Sequence, residues 1–194
     1  MSDILPKLFG SHARVKLLRL FLFNPRNSFT IPEALERSRV SAADARREVA
    51  LLLQIKLIKK ARPLRAAGVR YTLNGEFEYL LALQALLLNA PEQGNAIAGL
   101  IRRAGLMKLL VLSGVFVGEW DGQLDILIVG ERINERMLRE KIRRLESEIG
   151  KELRYASLST QDFFYRLNMN DHLVKDVLDY PHRIVLDKLN IGLK

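Results

Sequence analysis

The chain has 194 residues, 48% of them hydrophobic and 27% charged, with 31 Lys and Arg against 22 Asp and Glu for a formal charge of +9. It has no cysteine, which excludes disulfides, thiolate zinc sites and thiol redox switches, and its three histidines (His12, His172, His182) are too scattered to make a ligand set, so no metal and no cofactor are expected. The opening residues lack the features of a secretory leader, and no run of about 18 apolar residues follows, so a cytoplasmic protein that stays out of membranes is expected.

The charge is unevenly placed. Residues 1–90 hold fifteen Lys and Arg against seven Asp and Glu, whereas residues 91–194 hold sixteen against fifteen. A basic half joined to a neutral one points to a first half that meets a polyanion and a second that does something else. Two domains are expected, 1–90 and 95–194, with the turn-forming run from Pro91 to Asn95 between them. The expected fold class is α+β.

From Ser11, Val15, Leu18, Phe21 and Leu22 recur at helical spacing until Asn24 and Pro25 end a first helix. Thr30, Pro32 and Glu33 spell a capping box that opens a second, short helix through about residue 37. A second box, Ser41 to Asp44, opens a third helix whose core face is Ala45, Val49, Leu52 and Leu53. Residues 57–61 and 69–73 read as strands joined by a basic tip containing Pro63 and Gly68.

Helix, helix, turn, helix and basic hairpin is the order in which a third helix can enter the major groove, about 12 Å wide, while the second braces it. Ser41, Ala42, Ala43, Arg46 and Arg47 on that third helix are the expected DNA contacts. The small alanines permit close approach, and the arginines face base edges or phosphates. Lys59, Lys60, Arg62 and Arg65 on the hairpin are expected to hold phosphates, which adds affinity without sequence information. Asp44 would repel phosphate, and closing the helix cap is its expected role.

The segment FGSHARVKLLRLFLFNP, followed by SAADARREVALLLQIKLIKK, resembles the winged helix-turn-helix regulators of bacteria and archaea. The resemblance spans residues 8–88 and implies binding to double-stranded DNA. Beyond the hairpin, Phe77, Leu80, Leu81, Ala82, Leu83, Leu86, Leu87 and Leu88 make a helix apolar on more than one face, which must be covered by the second domain or by its own copy. In such regulators the helix after the wing often forms the dimer seam, so a homodimer is expected.

In the second half a helix (96–104), strands (106–112 and 124–129) about a glycine turn (113–122), a charged helix (134–149), a third strand (152–158), two short helices and a terminal strand near 183–186 imply a sheet covered by helices. The run from Leu112 to Gly130 resembles the minimal nucleotidyltransferases, whose signature is a strand, a Gly-Ser turn and a strand bearing Asp-x-Asp. There, paired carboxylates bind magnesium.

Here Gly114 is followed by Val115, Gln123 stands where the first aspartate belongs, and only Asp125 remains. The resemblance therefore implies the fold without catalysis. The residues after Thr160 also resemble the tail of regulators that fuse the two modules.

The expected function is a homodimeric transcriptional regulator, not an enzyme, with the second domain free to take a nucleotide or protein ligand. The rival is an active nucleotidyltransferase that uses the winged helix to bind its target. A third reading makes the wing a surface for an acidic protein partner.

Overall fold

The computed structural model describes residues 4–61, 68–88, 93–119 and 122–191, and the fold is α+β. The chain gathers into two compact units, Met1–Pro91 with Arg144–Glu152 and Glu92–Arg143 with Leu153–Lys194.

The first unit runs α1 (Ile4–Phe9), α2 (His12–Leu22), β1 (Ser28–Phe29), α3 (Ile31–Ser38), α4 (Ala42–Gln54), β2 (Ile58–Lys60), β3 (Tyr71–Leu73) and α5 (Leu80–Leu88). Ser11 starts α2 by accepting the Arg14 N–H on its hydroxyl, and Phe23 and Asn24 close it just before Pro25. Val15, Leu17, Leu18, Leu20, Phe21 and Leu22 are all buried, which makes α2 the central helix of this unit. Phe29, Ala34, Ala45, Val49, Leu52, Leu57 and Ile58 supply buried apolar side chains from the other elements, and the Phe21 and Phe29 rings meet edge to face at 5.7 Å.

The Thr30 box is complete. Thr30 Oγ1 accepts from Glu33 N, and Glu33 Oε2 accepts from Thr30 N at 2.7 Å. The Ser41 box closes on one side only: Ser41 Oγ accepts from Asp44 N at 3.1 Å, but the Asp44 carboxylate takes the Ser41 hydroxyl and Arg47 instead of the Ser41 backbone. Aspartate is one methylene shorter than the glutamate that normally reaches back.

The three strands form an antiparallel sheet ordered β1-β3-β2. β1 is only two residues long, too short to carry a period, and no local pattern announces it.

Residues Arg144–Glu152 belong to this first unit. The buried Arg19 donates to Glu148 O at 3.0 Å, Lys16 pairs with Glu148 at 2.9 Å, and Arg37 pairs with Glu152 at 2.6 Å. Asn24 Nδ2 donates to Gly150 O at 2.6 Å. Gly150 has φ +79, and a Cβ there would lie 2.5 Å from the backbone carbonyl carbon of Arg19.

The second unit holds α6 (Gln93–Ile101), a 3-10 turn (Arg102–Ala104), β4 (Leu106–Leu112), a 3-10 turn (Gly114–Val117), β5 (Ile126–Glu131), the start of α7 (Glu135–Ile149), β6 (Tyr155–Leu158), α8 (Thr160–Asn168), α9 (His172–Asp179) and β7 (Arg183–Asp187). Its sheet is ordered β6-β5-β4-β7. β4 runs antiparallel to both β5 and β7, and β5 runs parallel to β6. β4 and β5 are central strands, and the stretches Leu109–Leu112 and Ile126–Val129, buried on both faces, account for their apolar runs. On one face Leu109, Val111, Leu127 and Val129 pack with Phe163, Val174 and Val177 of α8 and α9.

The strand expected at 124–129 begins two residues later, at Ile126. The Asp125 and Ile126 N–H groups both turn to Arg154 O, at 2.7 and 3.2 Å, so Gln123 and Asp125 lie in the bend ahead of the strand. Among the described residues no helix is long and apolar enough to cross a membrane, and no three His, Asp or Glu side chains gather where they could hold a metal ion.

Candidate nucleic-acid interface

α4 follows α3 after only Arg39, Val40 and Ser41. Its buried arc is Ala45, Glu48, Val49 and Leu52, at offsets of three, four and seven residues from Ala45. The opposite arc, Ala42, Ala43, Arg46, Arg47, Ala50 and Gln54, is exposed. Three of these six are alanines, so little side-chain bulk holds the helix axis away from a neighbouring surface. From Ala42 to Gln54 the helix extends about 18 Å, enough to follow a groove across several base steps.

The two arginines are not equivalent. Arg47 is 64% exposed, yet its guanidinium already donates to Asp44 Oδ1 at 2.7 Å and to Glu48 Oε1 at 3.3 Å. The Arg46 guanidinium makes no hydrogen bond or ion pair among the described residues. Glu48 is wholly buried and accepts Arg14 Nε from α2 at 2.8 Å, so the carboxylate that partly neutralises Arg47 also ties α4 to α2. The exposed Arg47–Asp44 pair is worth less than about 1 kcal/mol and would exchange readily for a phosphate.

Arg39, which no sequence pattern singles out, is exposed and unpaired among the described residues, and it sits two positions before the Ser41 cap in the left-handed region at φ 49. That conformation costs a side-chain-bearing residue about 1–2 kcal/mol, and glycine is its usual occupant.

The hairpin divides its two lysines. Lys60 lies opposite Tyr71, and Lys59 opposite Thr72, so by strand alternation they point to opposite faces. Both are exposed, but only one can lie flat against a given surface. Arg62 and Arg65 lie outside the described residues. Arg70 is turned inward, donating to Ser28 O at 2.6 Å, to Ser28 Oγ at 2.9 Å and to Glu33 Oε1 at 3.2 Å. The Glu33 carboxyl is held below its ordinary value, first by the Thr30 N–H; burial opposes this, and Arg70 adds a further lowering.

In the second unit Gly114 and Asp125, of the run from Leu112 to Gly130, lie against each other, whereas Gln123 does not join them. Asp125 is wholly buried and among the described residues accepts from Val115 N at 3.0 Å, Arg154 N at 2.8 Å, and Arg154 Nε and Nη2 at 3.2 Å each. Ser113 donates its hydroxyl to Leu124 O at 2.8 Å. Gly114 has φ +53, and a Cβ there would collide with Asp125 Oδ1. Gln123 is exposed and bonded to nothing among the described residues.

A pair of divalent cations does not fit this donor set. Among the described residues Asp125 already faces a guanidinium, and Gln123, two positions before it, carries no charge.

No known protein family, curated protein or solved structure matches this chain.

The exposed α4 face therefore rests on its own geometry. The structure brings Ala42, Ala43, Arg46 and Arg47 onto one arc with Ser41 at its head, adds Ala50 and Gln54 to it, leaves Arg39 exposed two residues before the Ser41 cap, and separates Lys59 from Lys60. Glu48 carries a readable signal. It falls on the apolar arc of α4, where a charge must find a cation, although nothing local says that the cation is Arg14.

Proposed function

We propose that the chain is a DNA-binding transcriptional regulator whose first unit is a winged helix-turn-helix, with α4 lying in the major groove of duplex DNA. The observation that carries this is the exposed, alanine-floored arc of α4 with Arg46 unpaired on it and Arg39 beside its capped start. In this reading Arg46 meets base edges, Arg39 and Lys59 meet phosphates, and Arg47 leaves Asp44 for the nucleic acid on binding. The capping of α3 by Thr30 and Glu33 and the tie between Glu48 and Arg14 keep α4 rigid enough to read a sequence.

The second unit is read as a nucleotidyltransferase-like module without catalysis, which the commitment of Asp125 to Arg154 supports. A homodimer is the expected working form. Leu81 and Leu86 of α5 are 79% and 44% exposed and Tyr79, just ahead of it, is 60% exposed, while Leu87 is buried and Gln84 donates to Leu22 O. α5 itself carries no charge, so two copies of a basic chain can meet there without repulsion. Such a protein acts in the cytoplasm, on the chromosome of a bacterium or archaeon.

Selection of bound fragments from sheared genomic DNA tests the reading. The expected result is enrichment of one short motif present as two half-sites about 10 base pairs apart, or a multiple of that. Recovery of fragments no different from the input library would overturn it.

A further inference from the structure

The carboxy-terminal half is neutral only on average, because its arginines are gathered. Arg102 and Arg103 lie in the 3-10 turn before β4, Arg132 follows β5, and Arg136, Arg139 and Arg143 stand at offsets of three and seven residues along one face of α7. All six are exposed. The turn and the start of α7 adjoin: Asn134 N donates to Ala104 O at 2.8 Å, and a Cβ on Gly105 would lie 2.9 Å from Ile133 Cα.

None of the six makes an ion pair among the described residues, whereas Arg14, Arg37, Arg47, Arg70, Arg154 and Arg166 all do. Partners stand within reach. Glu135 and Arg139, and Arg136 and Glu140, have the spacing at which helix pairs form, yet Glu135 accepts from Ser157 Oγ instead. Arg132, like Arg39, holds a left-handed conformation, at φ 51.

We propose that this arginine face is a second nucleic-acid surface, gripping the phosphate backbone of a duplex without reading its sequence. Guanidinium groups present a planar fork that matches phosphate oxygens, and a row of them with no internal partner gives up nothing to bind. A membrane surface fits less well. A helix lying on lipid needs its apolar side outward, and that side of α7, Leu138 and Ile142, is buried. The surface goes beyond the α4 reading and does not depend on it.

The test is binding of the full chain to random-sequence duplex across a salt series, comparing wild type with Arg136→Gln/Arg139→Gln/Arg143→Gln. The slope of log affinity against log salt is expected to become shallower by about 2.7, or about 0.9 for each phosphate no longer neutralised. The charge-keeping triple Arg→Lys variant is expected to restore it. Unfolding curves that superimpose on wild type exclude a folding defect.

An unchanged slope in the Gln variant overturns the proposal even if Arg39→Ala/Arg46→Ala weakens binding in the same assay. A shallower slope in the Gln variant with no effect of Arg39→Ala/Arg46→Ala supports this surface and counts against α4. Absence of duplex binding by wild type at low salt overturns both. If the Gln variant stops binding vesicles containing anionic lipid but binds duplex as wild type does, the face belongs to membranes and the proposal is overturned.

Discussion

Asp125 is a buried carboxylate put to structural use. It closes the turn after β4 through Val115 N–H and anchors the start of β6 through the Arg154 backbone and guanidinium. Asp125→Ala leaves those donors unmet and is expected to cost about 3 kcal/mol in urea unfolding. Gly114→Ala, which drives a methyl into the same carboxylate, should be comparably damaging. A catalytic residue with no structural role would leave stability untouched.

Glu33 makes a prediction of opposite character, because only its protonation is changed. Its folded-state carboxyl titrates below the ordinary 4.5, so it stabilises the fold above that value and loses the contribution as pH falls through its lowered value. Thermal unfolding should therefore show wild type losing its advantage over Glu33→Gln as the solution is acidified below pH 4.5. Parallel curves at all pH values would contradict this.

Among the elements, α7 has an end whose extent is legible but whose place in the first unit, against α2, follows from no local pattern. Gly150 lets the backbone pass against α2 at the level of Arg19 and Leu20. Gly150→Ala meets both a left-handed φ and a backbone approach of 2.5 Å, and should lower stability by at least about 2 kcal/mol, read as a drop in Tm.

The other helices and strands show what a sequence can say. α2, α3 and α4 carry capping residues and a 3.6-residue apolar period, and α7 fills the expected 134–149 to within a residue. The pairing of Arg14 with Glu48, of Arg154 with Asp125 and of Arg19 with Glu148 joins residues 34, 29 and 129 apart, and no period encodes such distances. The site is legible in the same measure. The exposed α4 arc follows from helical spacing, whereas the unequal state of Arg46 and Arg47 depends on Asp44 and on a Glu48 oriented from another helix.

At the scale of the molecule the questions are how many copies act together and what their charge does. Leu81→Glu with Leu86→Glu puts like charges on the exposed face of α5 and is expected to shift the protein from dimer to monomer in sedimentation at micromolar concentration. A monomeric wild type, or an unaffected dimer, would refute the assigned seam.

The net charge of +9 ensures some attraction to any polyanion, so binding alone does not establish that α4 reads DNA. Discrimination does. With the enriched genomic fragment and a scrambled duplex of equal length, Arg46→Ala is expected to reduce the preference for the enriched sequence by about 1–3 kcal/mol, roughly five- to 150-fold, while binding to the scrambled duplex changes far less. An undiminished preference in that variant would contradict the account.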